Sequence, residues 1–340
     1  MSRFSRRDFL RYSAVGAGAL GFNVLPRVSA NAVTTTVGTV GALVKAVNNV
    51  PPGSIIHVRS GFYDVTGLEL RPADRVSILG SGHTLGSDGY LETVGTHIHI
   101  RGYRLLTRRS FGIRCENIWF SGARRKYDAE RGWVAGTGSN VFAPYRATFR
   151  YCKFSDADIA GLSAWSGLLE RCEIFRCGGD YSTSGKWAVS SAMKAHTQTH
   201  ALYNYVHDCG RHGLWWDRGA EDYRCVGNKV ERIKLYGIIV EKSQRANVER
   251  NTVNETGFQG MVIARSRYVD ASSNRFSNNS NGGLQVRDSH NQPEGGFNCT
   301  GIKVLNNSFG KQKVVVEKSI AIPGELTMSG NTGITEITRP

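Results

Sequence analysis

Helical periodicity is nearly missing from this chain. Apart from one stretch, Val37–Val47, apolar residues do not return at three- and four-residue spacing, which excludes solenoids built from helices. Long hydrophobic runs are missing too. Nothing after the first 32 residues approaches the length that crosses a bilayer, so no membrane span is expected. Seven cysteines occur, but no Cys-x-x-Cys pair and no Cys/His spacing of a zinc site. Nucleic-acid-binding motifs are absent, so nucleic acid is not an expected partner. Acidic residues are few, 28 against 43 Lys and Arg, giving a formal net charge of +15.

What is present is a repeat. Gly213-Leu214-Trp215-Trp216-Asp217, Gly237-Ile238-Ile239-Val240-Glu241, Gly260-Met261-Val262-Ile263-Ala264 and Gly283-Leu284-Gln285-Val286-Arg287 return every 23 or 24 residues. In phase with them run Asn204, Asn228, Asn251 and Asn274, continued by Asn307 and Asn331. Strand-like pieces at such a period mark a stacked solenoid. The fold class expected is all-β, a single-stranded parallel β-helix. Val206, Val230, Val253 and Phe276, two residues after successive Asn, form one inward column, because alternate residues of a strand face opposite sides. Cys152 and Cys172 occupy the Asn slot on earlier rungs. The stacked Asn residues satisfy backbone groups at a corner, a structural task.

The two ends differ. Val37, Val40, Leu43, Val44 and Val47 predict a short helix that caps the solenoid ahead of a first rung at Ile55–Val58. Before it, Ser5-Arg6-Arg7-Asp8-Phe9-Leu10-Arg11 and the apolar run Ala14–Phe22 resemble a twin-arginine export signal. The expected division is therefore a leader at 1–32 and one β-helix domain at 33–340. Its expected location is periplasmic, cell-surface or extracellular. Cys177 and Cys209, each five residues after a ladder position, fall in one column on successive rungs. That spacing is within reach of a disulfide, and the alternative is that they are small buried hydrophobes.

The Gly-x-x-x-x strand carries the candidate chemistry. Counted from Gly, or from Ser190 as its equivalent, the fifth residues are Lys194, Asp217, Glu241, Ala264 and Arg287. Lys, Asp and Glu are thus expected side by side on one outward face with Trp215. Groups that close shift one another's titration, and an adjacent aromatic suits a sugar. Insertions at Gly178–Val189, containing Trp187, and at Ser289–Asn298 flank this face as groove walls. His196, His200, His207 and His212 fall within one short segment beside it, so a proton carrier is expected there. The leader carries five Arg and one Asp, leaving about +11 on the rest, which suits a polyanionic partner.

Asn204-Tyr205-Val206-His207-Asp208, Gly213-Leu214-Trp215-Trp216-Asp217 and Gly237-Ile238-Ile239-Val240-Glu241 resemble exported bacterial right-handed parallel β-helix repeat proteins of the pectate-lyase-like superfamily. The resemblance covers roughly residues 40–335 and implies a right-handed coil that handles polysaccharide, expected as a monomer. It does not fix the reaction. Arg211-His212-Gly213 and Arg232-Ile233-Lys234 match part of the polygalacturonase pattern, but its acidic motifs are absent, as is the Asp-Pro-His-Asp motif of mannuronan epimerases. Three readings stay open. In uronate β-elimination, Lys194 or His212 is the base and Arg218 or Arg287 the neutralising cation. In hydrolysis, Asp217 and Glu241 form a carboxylate pair. In the third, the face binds glycan without turnover. His207, Trp215, Trp187, Arg218 and Arg287 are the expected substrate-binding residues in each. Calcium is the candidate cofactor, for which only Asp217 and Glu241 stand ready, and no metal ligands are assigned.

Overall fold

In the computed structural model, the described residues are 31–66, 68, 70–100, 105–106, 111–124, 127–128, 132–133, 139–142, 145–179, 190–217, 219–288, 298–320 and 324–339. Residues 1–30 of the expected leader, Trp187, Arg218 and most of both insertions lie outside them.

Three parallel ladders of short strands wind around one apolar interior. The first face is a 12-stranded sheet that begins at Thr34–Val37 and ends at Leu326–Ser329. The second follows the Asn corner and includes Tyr205–Cys209, Lys229–Ile233, Thr252–Thr256 and Arg275–Ser277. The third holds the Gly-x-x-x-x strands, among them Ser191–Ala195, His212–Trp216, Ile238–Glu241, Met261–Ala264 and Leu284–Arg287. The fold is the expected all-β right-handed parallel β-helix.

The Asn corner shows why the sequence coils. The residue before each ladder position sits in the left-handed region, as at Tyr203 (φ 56°), Gly227 (φ 67°), Arg250 (φ 52°) and Ser273 (φ 55°). For non-glycine residues this costs roughly 1–2 kcal/mol each. The ladder offsets it. Asn251 Oδ1 accepts from the Asn228 backbone N–H at 2.9 Å, and Asn251 Nδ2 donates to Cys225 O at 2.8 Å. The same pair of bonds recurs down the stack through Asn274, Asn307 and Asn331. Val206, Val230, Val253 and Phe276 pair rung on rung and are all buried, forming the expected core column.

The N-terminal end differs in one detail. Helix α1 spans Val40–Asn49 and buries Leu43 and Val47 over the open end of the coil. It begins later than the apolar spacing predicts because Thr39 caps it, its hydroxyl accepting from Ala42 N at 3.3 Å. Val37 instead belongs to a strand, Thr34–Val37, that pairs with Ile55–Val58. The first rung therefore precedes the helix.

One further element has no repeat signal. His83–Leu85 and Leu91–Val94 form an antiparallel hairpin that lies along the Asn corner. Tyr90 OH donates to Gly227 O at 2.9 Å, 137 residues away. Arg171 donates to Gly89 O, Lys153 to Glu92 O, and His83 stacks on Tyr151 at 3.8 Å. The hairpin thus ties together rungs that are not neighbours, which a plain solenoid does not do.

All seven cysteines are buried and free. Cys177 and Cys209 do stand on successive rungs, since Phe175 pairs with His207 and Gly210 N donates to Cys177 O. Each thiol donates to a carbonyl two residues back, both at 3.3 Å, and no bond joins them. Burial pushes the Cys209 thiol up to about 12 and raises that of Cys177 as well.

Candidate functional site on the third face

Register places Lys194 opposite Trp215, with Met193 opposite Leu214 and Ala195 opposite Trp216. Lys194 therefore stands outside the column that Asp217 and Glu241 share on neighbouring rungs. Ala192, not Ser190, stands at the glycine position, and Asp217 lies two residues further along its strand than Lys194 does. The long Lys side chain closes the gap. Lys194 Nζ is 2.9 Å from Asp217 Oδ2 and 3.5 Å from the centre of the Trp215 ring. Both ion-pair side chains are only 6% exposed, so this is no solvated ladder. With an ammonium on its face, Trp215 is not the open platform that the sequence suggests.

His212 completes the cluster. Its ring meets Trp215 edge-on at 5.2 Å and stacks on Tyr236 at 5.4 Å. Burial, then the charges of Arg211 and Lys194, hold its pKa down at about 3. The imidazole is neutral at neutral pH. Its Nδ1 is buried and has no hydrogen-bond partner, and the same is true of Trp215 Nε1, Ser191 Oγ, Arg211 Nε and Gln259 Oε1. Ser191 pairs with His212 in the sheet. Buried polar atoms are nearly always satisfied, so five that are not, gathered around one buried ion pair, single out this cluster as the candidate site.

The other expected residues disperse. Glu241 binds Arg265 at 3.1 Å, on the side away from the Lys194–Asp217 pair. Both carboxylates of the supposed hydrolytic pair are thus engaged by cations. Arg287 pairs with Ala264 further along the third face. His207 lies on the second face, stacked on Tyr205 at 4.1 Å, with Glu173 and Asp208 at its two ring nitrogens (3.0 and 2.6 Å). His200 is on the first face, where its Nδ1 accepts from Arg224 N, and His196 contacts Trp165. The four histidines are close in sequence, but one rung wraps them around all three faces. Ser191, Tyr236 and Gln259 were not singled out by the sequence. Their shared position, one residue before the glycine column, was the available signal.

The neutral His212 carries a consequence for acid stability. Its folded pKa of about 3 lies below the ordinary 6.5, so the unfolded chain takes up the proton first. The stability it contributes is complete above about pH 6.5 and is lost as pH falls toward about 3. Melting curves between neutral pH and about pH 4 should fall less steeply for His212→Asn than for the wild type. Equal slopes would show that His212 is not held neutral by burial.

Among the described residues, no three His, Cys, Asp or Glu side chains converge to hold a metal ion. No helix among them is long and apolar enough to cross a membrane.

Residues 187–324 match the profile of a family described as periplasmic copper-binding protein (NosD). No curated protein sequence matches the chain. Among solved structures, the A-module of Azotobacter vinelandii mannuronan C-5 epimerase AlgE4 superposes with TM-score 0.60 at 12% identity, over 88% of this chain and 92% of that one. The periplasmic alginate epimerase AlgG gives TM-score 0.51 at 15% identity, over 89% and 82%. The Dettilon tailspike protein gives 0.57 at 14%, over 88% and 64%. At these identities the likeness is one of fold. The three-faced coil, its Asn ladder and these neighbours together show the right-handed parallel β-helix fold.

Proposed function

We propose that this protein acts outside the cytoplasm, as an exported monomer, on an acidic polysaccharide bound at the third face, and that it cleaves uronate linkages by β-elimination. The observation that carries this reading is the set of unpartnered buried polar atoms on Ser191, Arg211, His212 and Trp215 beside the Lys194–Asp217 pair. The basic balance of the chain favours a polyanion. The periplasmic family match supports the location, and the named substrates of the epimerases supply the chemical class.

The chemistry follows from the protonation states. Neutral His212 offers a lone pair that accepts the C5 proton. Arg211 and Lys194 offset the charge that builds on the uronate carboxyl as that proton leaves. The electron pair then forms the C4–C5 double bond while the C4–O4 bond breaks, and the departing oxygen takes a proton from solvent. Asp217 holds Lys194 in place. Trp215 Nε1–H and Ser191 OH are donors for sugar oxygens.

The test is incubation of the protein with polyuronates and neutral glycans, following the ultraviolet absorbance of new unsaturated ends. Absorbance with polyuronate alone is expected. New reducing ends without absorbance would replace elimination with hydrolysis. No turnover and no binding of any glycan would overturn the reading.

A further inference from the structure

His212, Tyr236 and Gln259 occupy one position on three successive rungs. Gly213 N donates to Tyr236 O at 3.0 Å and Gly237 N to Gln259 O at 3.3 Å, so each residue stands directly beyond the last. Ser191 precedes them, opposite His212. From Ser191 to Gln259 this column carries a polar side chain on four successive rungs. The neighbouring column does not: beyond Lys194 and Trp215 it continues as Ile239 and Val262, both buried and apolar. On the two rungs past the central cluster, the polar side chains of these two columns are therefore Tyr236 and Gln259, and the second column turns polar again only at Gln285. Gln259 is 8% exposed and its Oε1 has no partner, the same mark that singles out His212.

We propose that Gln259 is a specificity-determining residue, which hydrogen-bonds a sugar two places along a uronate chain from the one beside His212. Rungs repeat at about 4.8 Å, close to the length of one pyranose in an extended chain, so successive sugars meet successive rungs. Tyr236 faces the intervening sugar. The arrangement makes the protein a reader of oligosaccharide length, with a gain on reaching three sugars. Gln259 Oε1 is an acceptor, so its partner is a sugar hydroxyl rather than a carboxylate. This inference rests on the proposal that the third face binds uronate.

The test compares oligouronates of two, three and four sugars on the wild type and on Gln259→Met, which keeps length and volume but removes the amide. The wild type should bind the trimer more tightly than the dimer. The variant should lose about five- to tenfold in affinity for trimer and tetramer, the worth of one hydrogen bond, and nothing for the dimer. Equal wild-type affinity at every length, an unchanged variant, or a uniform loss that includes the dimer would each overturn the subsite and leave the parent reading standing. A wild type that binds no oligouronate would remove both.

Discussion

Replacing Asn251 by Leu is expected to destabilise the protein by about 3–5 kcal/mol. The Asn251 side chain accepts from the Asn228 backbone N–H and from Asn228 Nδ2, both at 2.9 Å, and donates to Cys225 O and to Asn274 Oδ1. All of these groups are buried. Leucine fills a similar volume but leaves the Asn228 N–H and the Cys225 carbonyl unmatched, at about 1–3 kcal/mol each. The next rungs are affected too, because each ladder Asn orients its neighbour. Cysteine is the informative control. Cys172 already stands in this slot, where its sulfur accepts from Cys152 N at 3.4 Å and lies 3.5 Å from Phe149 O as donor. Asn251→Cys should therefore cost less than Asn251→Leu. Urea unfolding followed by both circular dichroism and tryptophan fluorescence would read the two losses. A Leu variant within about 0.5 kcal/mol of wild type would mean that the ladder is ornamental to stability.

The ladder was legible in the sequence because its spacing is regular, and the same regularity gave the core column through Val253. The third face was less legible where regularity broke. Between Cys177 and Ser191 an insertion interrupts the period, so nothing in the spacing fixed whether Ser190 or Ala192 took the glycine position. A Cβ on Gly213 would fall 2.3 Å from Gly237 O, which explains why the later rungs need glycine there. Ala192 fills that place without one. The two-residue error moved Lys194 out of its column, yet the ion pair with Asp217 survived because the Lys chain spans the offset. Burial could not be read either. Alternation assigns Lys194, Ile239 and Val262 to the outer side, but it does not tell that these three side chains are buried there. The hairpin at His83–Val94 had a local turn signal in Asp88-Gly89. Its docking on Gly227 joins residues that no periodicity relates.

Asp217→Asn should cost stability as well as activity, and the double variant Lys194→Met/Asp217→Leu should separate the two. An exposed pair of this kind would contribute about 0–1 kcal/mol. At 6% exposure for each partner, the relevant comparison is a buried pair, for which loss of one member costs about 3–5 kcal/mol because the other charge stays desolvated. Removing both charges with side chains of similar size takes that penalty away, and such replacements are often neutral. The Trp215 ring against Lys194 Nζ offers Met an apolar surface to pack on. The double variant is therefore expected to melt near the wild type and Asp217→Asn well below it. Polyuronate turnover should be absent from both, since the double variant lacks the cation that neutralises the substrate carboxyl. Stability recovered without turnover would assign the pair to the reaction. Stability recovered together with turnover would make Lys194 and Asp217 a packing device, and would leave His212, Arg211 and Trp215 to account for whatever the third face does.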